Sequence, residues 1–415
     1  MSGTEAARVS RSGNDLRPGR VWAPTVRLLG AATLLLAVTG IATASAAQAS
    51  QPVASAASTW KVEQTPNPAK AEINALSAVS CTSARACTAV GTYADTLSSP
   101  IHALAERWNG SKWRIQPTAK VKGAASTQLF AVSCAAANAC TAVGGAFVKG
   151  REVFLAEAWN GTTWRVQAVP TPSGLVDGDL YGVSCTSARA CTAVGFYSTA
   201  AHVRAAAERW NGTAWHSQSI PWPASNTWFF GVSCSAARGC TAVGYEHDSK
   251  PDAQPFAEAW NGTKWRVKVV PLPHGAPGGA LNAVSCTSPS ACTATGTNFG
   301  TSPTLAERWN GSQWRIQPTP DPAGYTTSAG SVTLDGVSCT SARACTASGQ
   351  YSPGGFAAYF LEAWNGSTWR LVSAPVPAHF AHGALLGMSC TATRCTAVGA
   401  WSGGPVGQAT LAMAN

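Results

Sequence analysis

From about residue 60 onward, short apolar runs alternate with clusters of Gly, Pro, Ser and Asn, and no stretch carries the 3.6-residue period of an amphipathic helix. The runs come in fours. In the first set they span 76–81, 87–93, 103–108 and 113–116, each predicted as a strand. Asn109-Gly110 between the third and fourth is a hairpin signal, because both residues tolerate positive φ. Pro-rich stretches such as 167–172 and 269–273 close the set.

The pattern repeats seven times. Ala78-Val79-Ser80-Cys81 through Cys87-Thr88-Ala89-Val90-Gly91 recurs with first cysteines 53, 51, 49, 52, 53 and 51 residues apart. A second block, Ala105-Glu106-Arg107-Trp108-Asn109-Gly110-Ser111-Lys112-Trp113, follows six of the seven. Four strands per unit at this period predict an all-β fold, a seven-bladed propeller occupying residues 50–415. The ends support a closed ring. The seventh unit stops after its third strand, at Thr410-Leu411-Ala412-Met413, while Trp60-Lys61-Val62 reads as a fourth strand with no unit before it. The N-terminal strand is expected to complete the last blade.

Residues 1–49 stand apart. Five arginines precede an apolar run from 28 to 42, and Ala44-Ser45-Ala46 and Ala47-Gln48-Ala49 both fit a signal-peptidase site. The reading is a cleaved secretory signal and an extracellular protein; the competing reading is an uncleaved anchor over 28–47. After removal the chain carries 24 basic and 17 acidic residues, a net charge of +7, with no Lys/Arg run. Nucleic acid is therefore not an expected partner, although weak attraction to an anionic surface is compatible with that charge. No stable membrane insertion is expected after cleavage, and a monomer is expected.

All 14 cysteines follow the leader, in seven close pairs: Cys81/Cys87, Cys134/Cys140, Cys185/Cys191, Cys234/Cys240, Cys286/Cys292, Cys339/Cys345 and Cys390/Cys395. An even number in an exported chain predicts one disulfide per blade. Each pair flanks the short link between strands one and two, so the bridge is expected at the mouth of that hairpin. No His or further Cys accompanies each pair, so no metal and no cofactor is expected. The paired tryptophans are read as blade-to-blade packing, with sugar platforms as the rival reading. The glutamate preceding them in each unit (Glu106, Glu157, Glu208, Glu258, Glu307, Glu362) is read as a structural hydrogen bond or ion pair within its hairpin. The six Asn-Gly-Ser/Thr sequons are read as turn chemistry rather than glycosylation sites.

Gly110-Ser111-Lys112-Trp113 and its equivalents resemble a degenerate Asp-box, the mark of the same hairpin in sialidase-type propellers. Trp108 stands where that family has Asp and Glu106 where it has Ser, and neither an arginine triad nor a Tyr/Glu nucleophile pair maps onto the chain. The whole repeat resembles that of secreted Cys-paired repeat proteins of actinobacterial type, a likeness that implies the fold and brings no activity.

The links between strands one and two and between three and four are near-constant, whereas links two–three and four–one differ from blade to blade. Binding is expected on the variable links. Their richest stretch holds Trp222, Trp228, Phe229, Tyr245, Glu246, His247 and Asp248, aromatics beside carboxylates and a His, which suits a sugar or peptide. The leading expectation is a non-catalytic recognition or scaffold module for an extracellular glycan, such as cell-wall polysaccharide, or for a protein. The alternative is a carbohydrate-active hydrolase or lyase using Asp177, Asp179, Glu246, His247 or Asp248 at the channel mouth. A purely structural secreted protein is the third reading.

Overall fold

The computed structural model describes residues 60–221, 226–247, 252–300, 303–322, 331–352, 357–404 and 407–415. The segment 1–49 expected to be a leader, and Trp222 and Asp248 of the expected cluster, lie outside the described residues. Those described belong to one unit and hold 28 strands and no helix.

The strands form seven four-stranded antiparallel sheets. The first blade is β2 (Ile73–Ser83), β3 (Ala86–Ala94), β4 (His102–Trp108) and β5 (Trp113–Gln116). Five blades of the same order follow, with first strands β6 (Ala124–Ala136), β10 (Asp177–Ser187), β14 (Asn226–Ala236), β18 (Gly279–Ser288) and β22 (Val332–Ser341). The seventh combines β26 (His382–Cys390), β27 (Cys395–Ser402) and β28 (Ala409–Ala414) with β1 (Lys61–Glu63). Lys61, Val62 and Glu63 pair antiparallel with Ala414, Met413 and Ala412. The first strands of neighbouring blades touch in sequence, and β26 touches β2. The N-terminal strand therefore closes a seven-membered ring, as the frayed ends of the repeat imply.

All seven expected disulfides form: Cys81–Cys87, Cys134–Cys140, Cys185–Cys191, Cys234–Cys240, Cys286–Cys292, Cys339–Cys345 and Cys390–Cys395. No cysteine is free. Their setting corrects the expectation of a bridge at a hairpin mouth. In the first six blades strands one and two run past the cysteines, pairing Ser83 with Ala86 in the first, so Cys81 and Cys87 sit directly opposite one another inside the ladder. The other pairs are likewise cross-strand partners, and all seven have Cα–Cα distances of 3.9–4.0 Å. The second cysteines, Cys87, Cys140, Cys191, Cys240, Cys292 and Cys345, are at most 4 % exposed. Each is a member of an apolar core cluster rather than of a surface link. The reason is position: the second strand lies between its own blade's neighbours, so a residue at its start is covered by the adjoining blade.

In the outer hairpin Trp108 pairs with Trp113 across a four-residue loop. Gly110 alone takes positive φ (94°), while the Asn109 side chain closes the loop by accepting from Ser111 N, Ser111 Oγ and Lys112 N. The Ser/Thr of each sequon thus has a turn role, as a donor to that Asn.

Two rings of contacts tie the blades together. Each first-cysteine N–H donates to the Ser Oγ of the preceding blade, from Cys134 to Ser80 (2.9 Å) round to Cys81 with Ser389 (3.0 Å). Each second-cysteine sulfur meets the preceding blade's Thr hydroxyl. Thr88, Thr141, Thr192, Thr241 and Thr293 lie 3.5–3.6 Å from Cys140, Cys191, Cys240, Cys292 and Cys345. Thr346 with Cys395 (3.6 Å) and Thr396 with Cys87 (3.9 Å) complete the circle. The tryptophans bridge blades as expected. Trp113, Trp215 and Trp369 donate to Glu63, Gln167 and Gln317 at the end of the preceding outer strand. Arg394, Arg107, Arg209 and Arg308 stack on Trp108, Trp159, Trp260 and Trp364 of the next blade.

The repeated glutamates correct their expected role. All six are at most 2 % exposed, and among the described residues no ion pair reaches any of them. Only Glu208 has a hydrogen bond from within its hairpin, from Ser217 Oγ (2.7 Å); Glu157 accepts from Ala119 N in the linker before its blade. Burial raises Glu106, Glu258, Glu307 and Glu362 to about 8 and Glu157 and Glu208 to about 7. An unpaired buried carboxylate is expensive, so burial shifts these groups toward their protonated form instead of drawing in a counter-ion.

Candidate functional site

Every first strand carries a bulge four residues before its first cysteine, leaving one extra residue without a ladder partner. The seven are Ser77, Phe130, Tyr181, Phe230, Asn282, Asp335 and Leu386. Because the first strands form the innermost circle, these residues circle the axis, and bulges commonly re-aim side chains next to functional sites.

Two sectors of the circle differ. On one side Asn282 donates to Thr333 Oγ1 (2.8 Å), Thr333 to Asp335 Oδ1 (3.1 Å) and Gln350 to Asp335 Oδ2 (3.1 Å). That network satisfies itself. On the other side, across the second to fourth blades, the aromatics meet in an unbroken run. Tyr181 lies 4.8 Å from Phe130, 5.8 Å from Phe196 and 5.8 Å from Phe230, ring centre to ring centre. Phe230 meets Tyr245 at 5.4 Å, and Tyr245 stacks on Trp228 at 4.5 Å and 16°.

Carboxylates sit beside this run. Asp179 Oδ1 and Glu152 Oε2 both lie over Gly145, 1.8 Å and 3.3 Å from where a Cβ would stand, so a side chain there would fill the space they occupy. Asp177 Oδ1 accepts from Glu152 N (3.2 Å). Burial, then the charges of Glu152 and Asp177, push Asp179 up to about 7 against the opposing pull of the Tyr181 hydroxyl. Burial and Asp177 raise Glu152 as well. Asp179 Oδ1, Glu152 Oε2 and Tyr245 Oη are shielded from water and have no hydrogen-bond partner.

The predicted cluster is partly assembled. Strands β14 and β15 (Gly239–His247) pair Trp228 with Tyr245, Thr227 with Glu246 and Asn226 with His247. Trp228 and Tyr245 meet but are each only 4 % exposed. Glu246 and His247 are half-buried at the strand end. Phe229 leaves the cluster: it is fully buried against Phe256 and Trp265, because its neighbour Phe230 takes the bulge and turns the strand's alternation. Glu152, Phe130, Phe196 and Phe230 are added. The signal for Phe130 and Phe230 was present in the sequence, since the position four before the cysteine varies within an otherwise constant frame. Nothing local marks Glu152 or Phe196, which join through neighbouring blades. Among the described residues no group of three or more His, Cys, Asp or Glu is arranged to hold a metal.

No family model matches the chain, and the comparison with curated proteins finds no relative. Solved structures are similar over most of the chain. An ulvan lyase of polysaccharide lyase family PL25 is 8% identical with a TM-score of 0.50, over 78% of this chain and 89% of its own. YCF48 from Cyanidioschyzon merolae is 12% identical with a TM-score of 0.49, over 86% and 98%. The six-bladed fucose-recognising lectin of Aleuria aurantia is 13% identical with a TM-score of 0.44, over 74% and 97%. At 8% identity the likeness to the lyase is one of fold alone.

Proposed function

We propose that the chain is an exported recognition module that binds an extracellular glycan at the axial patch of the second to fourth blades. The carrying observation is the Asp179 and Glu152 carboxyl pair over Gly145 beside a run of six touching aromatics. Carboxyls set beside clustered aromatics are the composition of a site that takes a polar ligand with apolar faces, such as a sugar. Aromatic rings supply apolar contact to sugar C–H groups. Seven disulfides suit an oxidising compartment, which fits export behind the leader at 1–49.

The Glu152/Asp179 pair favours a second reading, a hydrolase or lyase. Two neighbouring carboxyls with raised proton affinities are a candidate acid–base arrangement. One experiment separates the two. The oxidised protein is incubated with neutral and uronate-bearing polysaccharides while retention and released products are read together. Retention without products, weakened about tenfold by Tyr245→Phe with Asp179→Asn and abolished by Gly145→Ala, is expected. Products lost on Asp179→Asn would establish the enzyme instead. Retention unchanged by all three substitutions would remove the patch.

A further inference from the structure

The opposite face, built from the constant links, has a charge pattern that the axial patch does not use. The Cys-flanked turn and the Asn-Gly turn of each blade sit together: the Arg85 side chain lies across Gly110 within 3.0–3.4 Å of a Cβ there, and Arg189, Arg238 and Arg343 repeat the arrangement over Gly212, Gly262 and Gly366. The outermost strands add exposed Arg114, Arg165, Arg266, Arg315 and Arg370 at one equivalent position. Acid is missing from this belt. The hairpin glutamates are buried in the sheets, and among the described residues only Glu63, paired with Arg394, joins the outer strands with an acid outside the core.

The belt also contains juxtapositions the fold does not need. Arg107 stands directly opposite Arg114 and Arg308 opposite Arg315 in the ladder. Like charges in register destabilise a sheet. Arg209 donates to Ala237 O in the next blade, which brings it close enough to Arg238 for the two charges to oppose each other. Stacking on neighbouring tryptophans holds several of these guanidinium groups in place.

We propose that this belt is a second binding surface, which takes a linear polyanionic polysaccharide along the rim of the propeller. Guanidinium forks match carboxylate or sulfate oxygens two at a time. The cations follow a convex circle, which a flexible glycan can track. Duplex nucleic acid cannot follow it without bending sharply, which is costly over a short site. The belt and the axial patch occupy opposite links, so the failure of one assignment leaves the other standing.

The test compares two quadruple variants of the oxidised protein that lose the same charge. One carries Arg114→Gln, Arg165→Gln, Arg315→Gln and Arg370→Gln; the control carries Lys70→Gln, Lys120→Gln, Lys122→Gln and Lys149→Gln on the variable links, all exposed positions. Binding to heparin, polygalacturonate, dextran and duplex DNA is measured across a salt series, with melting temperatures as a check on folding. Expected are at least tenfold weaker binding of both polyanionic glycans by the belt variant, less than a twofold change in the control, a shallower salt dependence in the belt variant, and no retention on dextran through the belt. Equal weakening in both variants would reduce the effect to net charge and overturn the proposal. So would duplex DNA bound as tightly as heparin at equal charge, or wild-type protein that binds neither glycan.

Discussion

At the scale of single residues, the six hairpin glutamates carry the clearest consequence. A carboxyl whose folded pKa lies above its unfolded value holds its proton more tightly in the native state. Its contribution is complete below the ordinary 4.5 and is lost as pH climbs toward the folded values of about 7 to 8. Each tenfold change in proton affinity is worth about 1.4 kcal/mol. The propeller should therefore melt several degrees higher at pH 5 than at pH 8, and Glu258→Gln should narrow that gap by making the blade indifferent to pH. A melting temperature that rises between pH 5 and pH 8 would contradict the neutral-glutamate core. The six copies show in the sequence that these residues are architectural. Their protonation does not show there, because it depends on a desolvation that only neighbouring blades supply.

At the scale of elements, the hairpins were legible and their mutual attachment was not. Alternation, Asn-Gly turns and paired cysteines mark each four-stranded unit. The partner of each cysteine can be read from its spacing, but the burial of Cys191, Cys240, Cys292 and Cys345 cannot, since an adjoining blade provides it. The Ser before each first cysteine reads as an ordinary strand residue, yet its Oγ accepts the cysteine N–H of the next blade. Ser80→Ala would leave the half-buried Cys134 N–H without a partner, at a cost of about 1 kcal/mol in urea unfolding. Ser389→Ala should cost a similar amount, because the seventh blade meets the first through the same bond. A loss at Ser80 with none at Ser389 would mean that the circle is not closed in solution. The bulges belong to this scale too. They decide that Phe230 reaches the axial run while Phe229 enters the core.

For the whole molecule, closure rests on a three-residue strand. Besides its ladder, β1 brings Glu63 to Arg394, and the segment after it fixes Thr410 through Thr65 and Asn67. Deleting residues 1–67 should expose the edge of β28, lower the melting temperature by about ten degrees or more and promote self-association, since unpaired edges recruit other strands. A circular permutant that starts at residue 68 and attaches 60–67 behind Asn415 through a short Asn-Gly turn should restore both. Light scattering and thermal denaturation of the two proteins would check this. A stable monomeric deletion would show that β1 is dispensable to the ring.

The amino-acid sequence by itself determined the seven units, their strand content, their cysteine pairing and the fit between the two ends, because each follows from local alternation, turn chemistry and a period repeated along one chain. Tertiary structure decided which residues face one another across blades. Glu152 and Asp179 are 27 positions apart yet share the space above Gly145, burial raises the proton affinity of the glutamates, and the arginines collect into one belt. Those outcomes depend on bulges, blade-to-blade spacing and desolvation, which are set when the ring closes and which no single unit contains.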